Sequence, residues 1–351
     1  MSTMRDVARQ AQVSVKTVSR VFNDDPHVLP ETRQRVEEAL AQLNYTPNTL
    51  ARTFRDGRSP VIGVAVPNIA DPFFSSLAKA VETVAAGYDM SVLVSSLGPD
   101  PSKEPEVVEA LLRRQLGALV MAPTAPDQSY LRRWSEKVAL VFVDRPPQGL
   151  DADCFIEDDF GGARAATRHL LEHGHDGVAF VGNSLDVSTT VNRLSGYRAA
   201  LAEAGIAFRP ELVVNGATSR EGAWATVARL VGLADAPTAV FSSDAQTSMF
   251  LVPALAGSRL SIAGFGDFPM ASMLSPALTV VDQDPDALGR LAAERAVRRL
   301  DGVEDGAPVS TTLPVRLLER SSCRPVDLEG GLFPASRPDG AGTLLWVTPG
   351  A

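Results

Sequence analysis

The chain has 351 residues, enough at roughly 100 to 200 residues per domain for two or three domains with full hydrophobic cores. Apolar residues make up 45% and charged residues 21%, a globular composition that excludes a disordered or collagen-like polypeptide. The formal charge of −9 is wrong for a nucleic-acid binder taken whole, yet residues 1–58 carry nine basic and seven acidic side chains (+2) and the remainder 24 and 35 (−11), so only the head suits a polyanion.

In chain order, the N-terminus MSTMRDVARQ places Asp6 and Arg9 where a signal peptide needs uninterrupted apolar residues. The longest apolar runs, such as Val138 to Val143, are strand-length and far below the ~20 residues of a membrane helix. The two cysteines, Cys154 and Cys323, make neither a disulfide framework nor a paired-cysteine zinc site. A cytoplasmic protein with no membrane attachment and no cofactor is the expectation.

Residues 4–44 show helical periodicity only: Val7, Ala8 and Ala11, then Val18, Val21 and Phe22, then Val36, Leu40 and Leu43. The spacing predicts a first helix Met4 to Ala11, a tight turn Gln12-Val13-Ser14, a second helix Val15 to Asn23 capped by Ser14, and a third opening at Pro30-Glu31 behind a poor cap, Leu29. This is the layout of a helix-turn-helix, in which the second helix presents its N-terminal side chains to the major groove. Val15, Lys16, Ser19 and Arg20 share the outer face, and Arg20 can grip guanine O6 and N7 with two hydrogen bonds. The same spacing also suits an ordinary charged surface helix.

From Val61 onward, β-rich runs alternate with helical stretches: 61–67, 91–97, 118–123, 138–144, 177–182, 239–244 and 260–266. This rhythm predicts an α/β core of two doubly wound parallel-sheet subdomains behind the all-α head, with a ligand cleft at the carboxyl ends of the strands. Phe73 and Phe74 offer apolar faces to a sugar ring or a planar base, or one of them is core. Asp144 ends a strand and can accept from hydroxyls, or pair with its neighbour Arg145. His169 and His173 stand four apart on a helix without the glutamate of a zinc-protease spacing, so no metal is expected. No dinucleotide glycine loop and no nucleophile arrangement is present, so no enzyme is expected.

The strings MRDVARQAQVSVKTVSRVFND and ETRQRVEEALAQLNYTPNTLAR closely resemble the DNA-binding head of the lac repressor family of bacterial transcription regulators. The resemblance implies that Val15, Lys16 and Arg20 read bases, and that Thr3, Ser14, Thr17, Ser19, Asn23, Thr32, Tyr45 and Asn48 touch or orient on phosphates. The segment PNTLARTFRDG resembles the family's hinge helix, with Phe54 where a leucine usually wedges into the minor groove; a Phe packed on the body is the alternative. Gln12 stands where the family usually has Gly, which means either strain or a helical φ. Partners implied are double-stranded operator DNA, a second copy in a homodimer, and a small-molecule effector, a carbohydrate above all.

The resemblance continues through VIGVAVPNIADPFFSSL, DDFGGARAATRHLLEHGHDGVAFVG, NRLSGYRAAL and PALTVVDQDPDALG, which resemble an effector core similar to periplasmic sugar-binding proteins. It implies effector contacts at Arg193, Asp144 and Gln283, with Ser243, Asp244 and Asp267 as the further candidates. Two departures stand out: Ser243-Asp244 replaces the usual Asn-Asp, and Gly264-Phe265-Gly266 lacks the usual acceptor at 266, for which Asp267 is the nearest substitute. The expected domains are 1–46 for the helix-turn-helix, 47–59 for the hinge, 60–325 for the core and 326–351 for a loose tail. A solute-binding protein of the same core fold is the competing reading, against which the intact head argues.

Overall fold

The computed structural model describes residues 3–22, 25–45, 59–304 and 306–326. Asn23, Asn48 and Phe54, the hinge segment 47–58 and the tail beyond Val326 lie outside the described residues. The chain divides into a unit within residues 1–59 and a second unit from Pro60 onward.

The first unit holds α1 (Met4–Gln10), α2 (Val15–Phe22) and α3 (Pro30–Gln42). Thr3 closes α1 through a capping box: its Oγ1 accepts from Asp6 N at 3.3 Å while Asp6 Oδ2 accepts from Thr3 N at 2.9 Å. Ser14 Oγ accepts from Thr17 N at 3.0 Å and starts α2. Leu29 provides no side-chain cap to α3, as the sequence predicts, and Pro30 fills the first turn instead. The predicted apolar stripes meet in one core of Val7, Ala8, Ala11, Val18, Val21, Val36 and Ala39. Gln12 settles the question its position raised, with φ +52°, a left-handed conformation that costs a side-chain-bearing residue about 1–2 kcal/mol.

The second unit contains two six-stranded sheets. β1 (Val61–Val66), β2 (Ser91–Ser96), β3 (Ala118–Met121), β4 (Ala139–Val143), β5 (Asp153–Glu157) and β11 (Ser310–Leu313) form the first, in the order β11-β5-β4-β3-β1-β2. β6 (Val178–Gly182), β7 (Val213–Asn215), β8 (Ala239–Ser242), β9 (Ser261–Phe265), β10 (Thr279–Asp282) and β12 (Arg316–Leu318) form the second, in the order β12-β10-β9-β8-β6-β7. All pairings are parallel except β10 with β12. The chain thus passes between the sheets three times, after β5, after β10 and after β11. Five of these strands have no counterpart in the β-rich runs read from sequence. β7 and β12 are only three residues long, and β5 is bounded by Asp153 and Glu157, which break its apolar run although both are buried.

The helices of this unit are α4 (Pro72–Ala86), α5 (Glu104–Leu112), α6 (Asp159–Glu172), α7 (Ser188–Glu203), α8 (Arg220–Val231), α9 (Ala245–Ala254) and α10 (Pro285–Leu300). Those that leave β1, β5, β8 and β10 each start on an aspartate: Asp71, Asp158, Asp244 and Asp284 accept from Phe73 N, Gly161 N, Thr247 N and Ala287 N. Two glycines allow helices to touch. A Cβ on Gly196 of α7 would lie 2.2 Å from Phe160 O of α6, and one on Gly289 of α10 would lie 2.5 Å from Leu77 O of α4. No described helix is long and apolar enough to cross a membrane.

Candidate functional site

On the head, Val15, Lys16 and Arg20 are exposed along one face of α2, Val15 being 41% exposed despite its apolar side chain. Ser14 and Thr17 sit at the helix start, their hydroxyls 2.8 Å apart, and Ser19 is half-buried beside them. Thr32 is half-buried in the first turn of α3, and Tyr45 meets Phe22 edge-on with ring centroids 6.3 Å apart. Arg20 is held before any DNA arrives, its Nε donating to Asp25 Oδ2 at 2.7 Å. Asp25 also accepts from His27 N at 2.9 Å, and these bonds hold its carboxyl well below the usual carboxylate range. Sequence reading did not single out Asp25, which lies beyond the helix end.

In the second unit, the carboxyl ends of β1, β4, β6, β8 and β10 converge on a cavity of about 120 Å³. Its lining draws on both sheets: Asn68, Asp71, Phe73, Phe74, Asp144 and Arg145 from the first, and Asn183, Thr189, Thr190, Arg193, Asp244 and Gln246 from the second, with Gln283 where the chain crosses back. Of the residues expected here, Phe73, Phe74, Asp144, Arg193, Asp244 and Gln283 all line it. Phe73 and Phe74 pack edge-on at 5.0 Å and belong to the core of the first sheet as well as to the cavity wall.

Arg193 is the centre of this site. It lies on α7 with 5% exposure, its Nε donating to Asp159 Oδ1 at 2.7 Å, its Nη1 to Ser243 O at 2.7 Å, and its guanidinium 3.9 Å from the Phe265 ring centroid. Asp144, at φ +64°, is 4% exposed and faces Arg145 Nε at 3.0 Å in a geometry that is not a hydrogen bond. Gln283 Nε2 approaches Glu157 Oε1 at 3.4 Å, and Glu157 Oε2 has no hydrogen-bond partner.

Two expectations are corrected. Asp267 is outside the cavity lining and is bound by Arg320, whose Nη1 and Nη2 donate to its two carboxylate oxygens at 3.0 and 2.6 Å. It does not replace an acceptor at 266. Gly266 itself has φ +87°, and a Cβ there would lie 2.9 Å from Gln283 Oε1 and 3.2 Å from Ala245 Cβ, so the space a side chain would need at 266 is taken by Gln283 and Ala245. The Ser243 side chain is also turned from the cavity, donating to Asp244 Oδ2 at 3.1 Å; its carbonyl, through Arg193, is what serves the site.

The site is rich in carboxyls, some of which sequence reading missed. Asp71, Glu157 and Asp159 were not singled out, although Asp71 and Asp159 lie just past strand ends, where α/β ligand sites form. Burial, aided by Asp244 and Asp144, pushes the Asp71 carboxyl up to about 6. Burial likewise raises Asp159 to about 6 against the pull of Arg193, and raises Glu157 well above its ordinary value. Burial disfavours the charge on Arg193, but Asp159 and Asp144 outweigh it and hold the guanidinium firmly protonated.

Comparison with known proteins agrees with both halves of this picture. Residues 3–48 match the family described as bacterial regulatory proteins, lacI family, and residues 167–323 match a periplasmic binding protein-like domain. The HTH-type transcriptional regulator GalS of Salmonella typhimurium is 33% identical over 92% of this chain and 96% of its own length. The ribose operon repressor of Haemophilus influenzae is 31% identical over 92% of this chain and 98% of its own. Among solved structures, the lac repressor dimer bound to operator and the anti-inducer ONPF is similar with a TM-score of 0.80 at 27% identity, covering 92% of this chain and 99% of that one.

Proposed function

Because the chain belongs to the lacI family of bacterial regulatory proteins and is a DNA-binding transcriptional regulator, we propose that it is a repressor whose homodimer binds a pseudo-palindromic operator under the control of a small carbohydrate-like effector in the core cleft. The observation that carries the effector half is the position of Arg193: a buried guanidinium on a cavity wall, tied to Asp159 and to the end of β8, with the strand ends of both sheets around it. A ligand there touches both subdomains, so it favours one relative arrangement of them, and any change in operator affinity follows from that difference.

Within each head, Val15, Lys16 and Arg20 read base edges while Thr3, Ser14, Thr17, Ser19, Asn23, Thr32, Tyr45 and Asn48 position the phosphates; Phe54 wedges the central step. A head of charge +2 is weak alone, and pairing two heads doubles both contacts and length of site read. Pairing also covers apolar surface. Leu93 and Val94 are 40% and 45% exposed on β2, the edge strand of the first sheet, and Met249, Met270 and Met273 are exposed on the second subdomain.

The test is selection of bound duplexes from a random DNA pool, followed by a salt series on the winning sequence. An enriched palindrome with binding that weakens steeply in salt supports the operator reader and permits effector screening by loss of binding. No enrichment, with ligand binding retained, favours a solute-binding protein of the same core.

A further inference from the structure

The cavity that the proposed repressor would use for its effector has an electrostatic bias. Asp71, Asp144 and Asp244 line it, with Glu157 and Asp159 buried alongside, against the guanidiniums of Arg145 and Arg193. Both cations are already engaged: Arg193 by Asp159 and Ser243 O, and Arg145 by Asp144 and by Pro123 O at 3.0 Å. Asp71 and Asp244 receive only helix-capping N–H and hydroxyl donors. The Asp144 side chain is 4% exposed and lines the cavity; its Oδ2 has no hydrogen-bond partner although Arg145 Nε lies 3.0 Å away, and its charge also faces Arg193.

Geometry across the cavity adds to this. Asp71 caps α4 in the first subdomain and Asp244 caps α9 in the second, so the positive ends of two helices that could attract an anion are each already closed by a carboxylate. Burial raises the Asp71 carboxyl to about 6, and repulsion from Asp244 and Asp144 adds to the rise. Among the described helices that start at the cavity, α7 begins without a side-chain cap, at Val187; its first turn supplies the Thr189 and Thr190 hydroxyls, and its one cation there, Arg193, is already engaged by Asp159.

Resting on the effector-cleft reading above, we propose that the effector carries a protonated amine as well as hydroxyls, as an amino sugar does, and that its ammonium is taken up among Asp71, Asp144 and Asp244 while phosphorylated and carboxylated sugars are rejected. An ammonium has three donors and can serve one carboxylate from each side of the cleft at once, replacing repulsion across the cleft with attraction. Hydroxyls of the same molecule meet Arg193, Gln283 and the start of α7.

The experiment is a binding panel on the full chain at neutral pH: glucosamine, galactosamine and mannosamine, each beside its neutral hexose and that hexose's phosphate ester, read by thermal shift and confirmed by calorimetry. The expected result is at least one amine that binds roughly tenfold or more tightly than its neutral parent, with no phosphate ester binding. Asp71→Asn and Asp244→Asn, which keep the helix caps, bring the ratio of amine to neutral affinity toward one. A neutral hexose or phosphate ester that binds better than its amine overturns the charge selectivity and leaves the effector cleft standing. No binding by any member overturns the inference, and operator binding by the same preparation shows whether the repressor reading survives it.

Discussion

Arg193 and Asp159 form a buried pair, Nε to Oδ1 at 2.7 Å, with both side chains about 6% exposed. Asp159 opens the helix that follows β5 of the first sheet, and Arg193 lies in the helix that follows β6 of the second. The pair therefore stands at a crossover between the sheets, and its charges have almost no water to fall back on. Removing one partner strands the other: Arg193→Ala is expected to destabilise the core by about 3–5 kcal/mol, measured by denaturant unfolding. Arg193→Lys keeps a charge without the planar fork; it should fold, bind operator and lose its response to effector, seen as operator binding that no ligand alters.

Arg20→Ala should remove specific operator binding and leave ligand affinity of the core unchanged. A two-hydrogen-bond contact to guanine is worth about 1–3 kcal/mol of discrimination in each half-site. Fluorescence anisotropy on the selected operator and on a scrambled duplex gives the comparison. If the variant discriminates between them as well as the parent does, Arg20 is not a base reader.

The Asp25 contact makes a second prediction in the same helix. Asp25 Oδ2 holds Arg20 Nε at 2.7 Å, so Arg20 must be shared with or released by Asp25 when it meets a base. Asp25→Asn weakens that hold and should strengthen both specific and non-specific DNA binding, with a steeper dependence on salt because one negative charge leaves each head. Equal affinities for the two proteins across a salt series would show that Asp25 does not restrain Arg20.

Asp71 gives a pH dependence with a defined sign. Its carboxyl is raised from 3.8 to about 6, so between those values the folded chain keeps a proton that the unfolded chain has released. The group therefore lowers stability progressively as pH rises through this window, and its full cost is present above it. Asp71→Asn should match the parent in thermal melts near pH 4 and gain on it as pH rises, the gap levelling off above the window. A gap that does not change with pH would mean that Asp71 titrates normally.

Two glycine-size effects test the packing. Gly196→Ala places a methyl against Phe160 O and should cost about 1–3 kcal/mol in denaturant unfolding of the core. Gln12→Gly works in the other direction, relieving the left-handed backbone of the turn. It should slow hydrogen exchange in residues 4–22 by stabilising the head by about 0.5–1 kcal/mol.

The head was legible residue by residue because its signals are local. The caps at Thr3 and Ser14, the three apolar stripes and the outer face of α2 depend on neighbours within a few positions, and a helical period converts such spacing directly into a face. The βα rhythm of the body was legible for the same reason wherever a strand is a continuous apolar run, as at Val61–Val66. It was not legible at β5, whose bounding Asp153 reads as a surface residue until Arg295 and Arg299, more than a hundred positions later, come within 3.0 and 2.8 Å of it.

The helix-turn-helix, the two α/β subdomains, the family likeness and six residues of the cavity wall could be read from the residues in order, because these rest on local periodicity and on motifs at short spacing. Tertiary structure alone decided which charged groups share the cavity. Asp71, Glu157 and Asp159 join Asp144 and Asp244 around one buried guanidinium, while Asp267, adjacent in sequence to the expected acceptor, is turned aside to Arg320. Charges interact through space rather than along the chain, and the three passages between the sheets bring together strand ends that no sequence spacing relates.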